Sequence, residues 1–210
     1  MSLRITALAA IAVIMTACGG NEEPAVMEEA DVVDAGAALQ ALFDEHFERG
    51  LEMNPIQATF IGDNRYNDRL GHFFSQEFRD AAEAMDREFL ERLLEIDRDQ
   101  LSYQDQLSYD IFKQDREESL EGNQFPGHLQ PLNQFYNVMN FFVQLGSGAS
   151  AHPFKTVKDY DDWLSRVDDF VINTDQMITN MREGMQQGIV QPRILMEKVI
   201  PQLESQIVDD

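Results

Sequence analysis

Apolar residues recur at steps of three and four along most of this chain, the spacing of helices that each bury one face. Leu39, Leu42, Phe43, Phe47 and Leu51 form the first such stripe, which Asn54-Pro55 stops. Asn54 is placed to cap a short second helix, with Pro55 at a first position that needs no N–H donor and Gly62 at its end. Ser75 opens a longer helix. Its Phe78, Ala82, Met85, Phe89, Leu93 and Ile96 make a regular core-facing row, while Glu83 with Arg87 and Glu88 with Arg92 can pair on the wet face. Ser102 with Asp105 three residues on resembles a capping pair for the next helix, running through Leu107, Ile111 and Leu120 to Gly122.

The pattern breaks at residues 123–131, which are rich in Gly, Pro, Gln and His, and again at residues 145–150. Residues 135–143 form a helix-like piece between these loops. Thr156 and Asp159 mark another start, leading past Tyr160, Trp163, Leu164 and Val167. A separate helix is expected through Ile172, Met177, Ile178, Met181 and Met185 to Gly188, and Pro192 opens a last one toward Leu203. No strand alternation and no fixed repeat is visible, so the expected fold class is all-α, an irregular multi-helix array over residues 37–210. The last helix shows a wide apolar face, Ile194, Leu195, Val199, Ile200, Leu203 and Ile207, without an evident ending. That face is expected to meet a missing carboxyl-terminal half, making residues 37–210 an incomplete part of a larger helical domain.

The first residues do not belong to this array. A short positive start ending in Arg4 precedes the uncharged apolar run 5–15, which is too short to span a bilayer as a mature helix. Thr16-Ala17-Cys18 closes the run in the manner of a bacterial lipobox, so residues 1–17 are expected to be a removed signal peptide. Cys18, the only cysteine, is the expected lipidation site. Several acyl chains there would hold the protein stably on a bacterial membrane, since each buried methylene contributes about 0.8 kcal/mol. Gly19 lacks the aspartate of the inner-membrane retention pattern, which points to the periplasmic face of the outer membrane. Residues 18–36 hold paired acids and no aromatic residue, and are expected to be an acidic disordered tether.

Charge narrows the partners. Lys and Arg number 16 against 38 Asp and Glu, a net −22, which opposes any nucleic-acid partner. No nucleophile elbow, phosphate loop or dinucleotide fingerprint is present. The four histidines, His46, His72, His128 and His152, are never followed by glutamate or spaced by four, so no zinc-peptidase helix and no metal ligand is assigned. The most promising functional surface is the loop of residues 62–70. Arg65 and Arg69, with Tyr66 between them, are candidate substrate-binding residues that can clamp a peptide carboxylate through paired guanidinium bonds. The alternative is self-structure, with Asp63 capping the next turn and the arginines satisfying nearby acids or carbonyls. The loop is not an EF-hand, because Arg65 stands at a ligand position.

The run Met53-Asn54-Pro55-Ile56-Gln57-Ala58-Thr59-Phe60-Ile61-Gly62-Asp63-Asn64-Arg65-Tyr66-Asn67-Asp68-Arg69-Leu70 resembles the amino-terminal signature of a bacterial helical family, domain of unknown function 885. Tyr160-Asp161-Asp162-Trp163-Leu164-Ser165-Arg166-Val167 and Met181-Arg182-Glu183-Gly184-Met185-Gln186-Gln187-Gly188-Ile189-Val190-Gln191-Pro192 are similar to its later segments. The resemblance implies a largely helical, often lipid-anchored protein of a family regarded as zinc-dependent peptidases, whose His-Glu-x-x-His helix lies in a later half. It therefore implies zinc for that half, a peptide substrate, and a non-catalytic role for the present chain, which is expected to be inactive alone. The competing expectation is a non-enzymatic helical envelope lipoprotein that binds a peptide or protein partner.

Overall fold

A computed structural model of the chain describes residues 34–207. The signal segment 1–17, Cys18 and most of the expected tether lie outside these residues. Among the described residues the chain is all-α, with seven α-helices and three single 3-10 turns. Helices α1 (Ala35–Met53), α2 (Pro55–Phe60), α3 (Gln76–Leu94) and α4 (Tyr103–Gly122) precede α5 (Val138–Leu145), α6 (Val157–Gln187) and α7 (Arg193–Glu204). Helix α1 begins inside the segment expected to be tether, because the Asp34 carboxylate accepts the Gly36 N–H and gives the first turn a cap.

The caps form where local chemistry demands them. Asn54 accepts the Gln57 N–H, Ser75 that of Phe78 and Ser102 that of Asp105, while Thr156 and Asp159 exchange bonds in a full capping box. Gly62, at φ 86°, turns the chain out of α2, and Gly188, at φ 74°, ends α6, both in the left-handed region that favours glycine.

Two buried clusters organise the packing. Leu39, Leu42, Met85, Phe89, Leu93 and Tyr109 join α1, α3 and α4. Leu132, Met177 and Val199 join the segment before α5 to α6 and α7, with Phe74, Met181 and Leu203 packed against them. Two expectations change here. Phe47 is 54% exposed and Ile111 62% exposed, because α4 turns Tyr109 and Phe112 rather than the Leu107–Ile111 row toward α1. The two helices expected between residues 156 and 188 are one helix of 31 residues. Helix α7 ends at Glu204 and buries Val199, while Ile194 and Ile200 stay more than half exposed.

Helix α6 comes close to neighbouring backbone at Gly184. A Cβ there would stand 2.6 Å from the Ile189 carbonyl oxygen and 3.0 Å from that of Leu129, both backbone atoms that cannot swing away.

The clusters predict a sharp contrast between two large apolar side chains. Phe89→Ala, at a fully buried site, should cost roughly 3–5 kcal/mol in urea unfolding. Ile111→Ala, on the exposed face of α4, should change stability by no more than about 0.5 kcal/mol.

Candidate functional site

Between α2 and α3 the chain runs through residues 61–75 with only one 3-10 turn, Asn64–Tyr66, so most of its backbone groups lack helical partners. Buried backbone polar groups must nevertheless be bonded. Helix α6 supplies the partners from side chains. The Arg166 Nε donates to the Arg69 carbonyl at 3.0 Å, and Asp169 accepts the Leu70 N–H at 2.8 Å. Farther along, Asn173 donates to the Gly71 carbonyl at 2.6 Å and Asn180 to that of Phe74 at 2.9 Å. The irregular segment is thereby fixed along one stripe of α6.

Arg166 is the centre of this arrangement and is fully buried. Its hydrogen bonds run to neutral acceptors. Besides the Arg69 carbonyl, it donates to the Thr59 hydroxyl, to the Tyr66 carbonyl and Asn67 Oδ1 at 3.4 Å each, and to His152 Nδ1 at 2.8 Å. Thr59 in turn lies 2.8 Å from Asn67 Oδ1, which ties α2 to the loop. Burial pulls Arg166 down to about 10, with Asp162, Asp68 and Asp169 opposing the fall, so the guanidinium stays charged at neutral pH.

The same geometry fixes His152. Its Nδ1 receives the Arg166 proton, so it is an acceptor, and Nε2 must carry the hydrogen donated to the Asp159 carbonyl at 2.9 Å. The ring also packs against Phe154 and Trp163, with centroids 4.8 and 5.4 Å away. Desolvation, aided by Arg166, holds the imidazole below its ordinary 6.5 against the raising influence of the Asp159 carbonyl and of the Asp159 and Asp162 charges.

The candidate residues of the 62–70 loop occupy different settings. Asp63 accepts the Arg65 N–H at 3.0 Å and binds its guanidinium at Nε and Nη2, while Glu48 takes Nη2 from the other side at 2.8 Å. These bonds raise Arg65 and lower Asp63. Both arginines lie over Tyr66, Arg65 at 5.3 Å and Arg69 at 4.7 Å from the ring centre. Arg69 has a single long approach, 3.9 Å to Asp68, and it lines an adjacent cleft of about 420 Å³. The two guanidinium groups are thus engaged differently, Arg65 in surface pairs with Asp63 and Glu48 and Arg69 at the cleft.

That cleft also holds His72, whose Nε2 lies 3.1 Å from Asp169, together with Glu52 and Glu77. The remaining histidines sit apart. His46 meets Arg116 at 2.7 Å between the rings of Phe89 and Phe112, and desolvation followed by Arg116 lowers its pKa. His128 is lowered by burial and by Arg79. Among the described residues no three His, Cys, Asp or Glu side chains assemble in a way that could hold a metal ion.

Residues 55–210 match the family described as bacterial protein of unknown function (DUF885). The chain belongs to the DUF885 family. It has no significant match among curated proteins or solved structures. The match includes the loop and the helix that holds it, so the Arg166 arrangement lies wholly inside the DUF885 segment. Sequence spacing had a signal for the holding helix: Asp162, Arg166, Asp169, Asn173 and Asn180 recur at steps of four, three, four and seven. A polar stripe at that period marks an inner face as readily as an outer one when the neighbour is irregular backbone.

Replacing Arg166 by methionine should destabilise the protein by roughly 3–5 kcal/mol, since each buried acceptor left unpaired costs about 1–3 kcal/mol. Hydrogen exchange at Leu70 should accelerate more than exchange within α3; equal change throughout would deny Arg166 its local role.

His152 and His46 are lowered in the folded protein, so the unfolded chain takes up protons first as pH falls. Their contribution is complete above the ordinary 6.5 and is lost as pH drops from there through the folded values. The lowered carboxylates, such as Glu45 and Asp63, act in a separate window below their ordinary 4.5 and 3.8. Thermal melting between pH 7 and 5 should show this loss, and His152→Gln should flatten it.

Proposed function

We propose that this DUF885 chain is the amino-terminal, non-catalytic portion of a lipid-anchored bacterial peptidase-like protein, supplying helical scaffold and one wall of a substrate cleft. The observation that carries the cleft assignment is the fastening of residues 66–74 to α6, which leaves Arg69 and His72 facing an open depression instead of a packed core. A preorganised wall of this kind binds a peptide without first paying the entropy of ordering a loop. Peptide bond cleavage is assigned to a later segment, where the family resemblance puts the zinc-binding helix. Arg69 is the candidate substrate contact; Tyr66 and Arg65 act behind it, Tyr66 under the Arg69 guanidinium and Arg65 bracing the turn.

Lipidation of Cys18 would place this wall at the bacterial cell envelope, on the periplasmic face of the outer membrane. Among the described residues no helix is long and apolar enough to cross a membrane. A second reading, a non-enzymatic lipoprotein that binds a peptide or protein partner, draws on the exposed neighbours Phe135 and Tyr136, which are 83% and 78% exposed.

Two measurements test the proposal. Cys18→Ser should abolish incorporation of a fatty-acid analogue, and equal labelling of the variant would remove the anchor. The purified 210-residue chain should show no chelator-sensitive peptide hydrolysis, while a longer form carrying a His-Glu-x-x-His helix should hydrolyse peptides and lose activity on Arg69→Ala. An inactive longer form would leave the binding lipoprotein in its place.

A further inference from the structure

Two depressions meet at Phe78. On one side is the cleft already described; on the other is a groove of about 600 Å³ whose walls include Ile56, Phe73, Phe74, Tyr136 and Phe141. Consecutive residues divide between them. His72 and Ser75 line the cleft and Phe73 and Phe74 the groove, while Pro55 borders the first and Asn54 and Ile56 the second.

Their chemistry is opposite. No charged side chain lines the groove, and its aromatic surface continues outward through Phe60, which lies 5.9 Å from Phe141. The cleft holds three carboxylates, Glu52, Glu77 and Asp169, against Arg69 and the titratable His72. Asp169 is already bonded to the Leu70 N–H and to His72, but Glu52 and Glu77 are exposed and form no ion pair among the described residues. The surrounding chain carries a net −22, so its field draws cations toward this opening and repels anions.

We propose that the cleft and the groove form one bipartite site for a cationic peptide segment, with its ammonium or basic side chain between Glu52 and Glu77 and a large apolar side chain in the groove. An extended peptide advances about 3.3 Å per residue, so two or three residues suffice to pass the Phe78 ring. Charge selects one end and aromatic surface the other. An acidic side chain or an anionic headgroup is disfavoured between Glu52 and Glu77. This deepens the substrate-cleft proposal and rests on it for the role of the site, but binding can be measured on this chain without any hydrolysis.

Titration calorimetry on the full chain with the tripeptide amide lysyl-phenylalanyl-leucine, its acetyl-glutaminyl analogue and its acetyl-glutamyl analogue decides the matter. The lysyl peptide should bind at least about tenfold tighter than the glutaminyl one at low salt, with the preference shrinking as salt is raised. Glu52→Gln combined with Glu77→Gln should abolish that preference, and Phe141→Ala should weaken both peptides, with folding of each variant confirmed by circular dichroism. Equal binding of all three peptides, tighter binding of the glutamyl peptide, or no saturable binding by the folded chain overturns the proposal. So does a dimer that Phe135→Ser and Tyr136→Ser dissociate, because the groove would then belong to a second copy. Selective binding by this chain together with an inactive longer form would retain the site and remove the peptidase reading alone.

Discussion

The fold depends on satisfying the backbone of residues 61–75 where it runs along α6 with only one 3-10 turn and buries Asn67 and Leu70. A helix or sheet would bond those groups internally; here the bonds come from Arg166, Asp169, Asn173 and Asn180 of α6. The demand explains why the inner face of a 31-residue helix is polar for much of its length, and why a cationic side chain is tolerated at full burial. A guanidinium suits the task because its donors fan out in a plane and can reach several carbonyl and hydroxyl oxygens at once. Lysine, with one point of charge, could not replace it at Thr59, Tyr66, Arg69 and His152 together.

What was legible in the sequence was local. Asn54, Ser75, Ser102 and Thr156 cap helices because the bonds they make lie within three residues, so spacing alone reveals them. The all-α class followed from the period of apolar residues, and the DUF885 resemblance from runs that the family match also spans. Burial was less legible. Ile111 and Tyr109 both offer apolar surface on α4, and only the position of α1 decides that the tyrosine turns inward. The division of α6 into two helices failed for a related reason: its polar inner stripe interrupts the apolar period that would otherwise have run unbroken to Gly188.

The candidate site divides in the same way. Arg65 and Arg69 were visible as a pair, but sequence could not distribute their partners, since Glu48 reaches Arg65 from a separate helix. Neither could it bring Asp169 beside His72, 97 residues earlier in the chain. Glu45, Arg49, Glu88 and Arg92 cross-link α1 and α3, while Glu52 and Glu77 of the cleft form no ion pair among the described residues. Such half-exposed pairs contribute little stability each. Their larger effect is to set where uncompensated negative charge remains.

Arg166 also bears on the order in which the molecule assembles. Its bonds to Arg69 and Thr59 close loops of 97 and 107 residues, whereas α3 and α4 meet across a short turn. Long loops are slow to close, and stripping water from a guanidinium before its acceptors are in place is unfavourable. Docking of α6 onto the segment before α3 is therefore expected to follow the association of α1, α3 and α4. On that order, the helices of the first half would be packed in a newly made chain before its family signature takes shape.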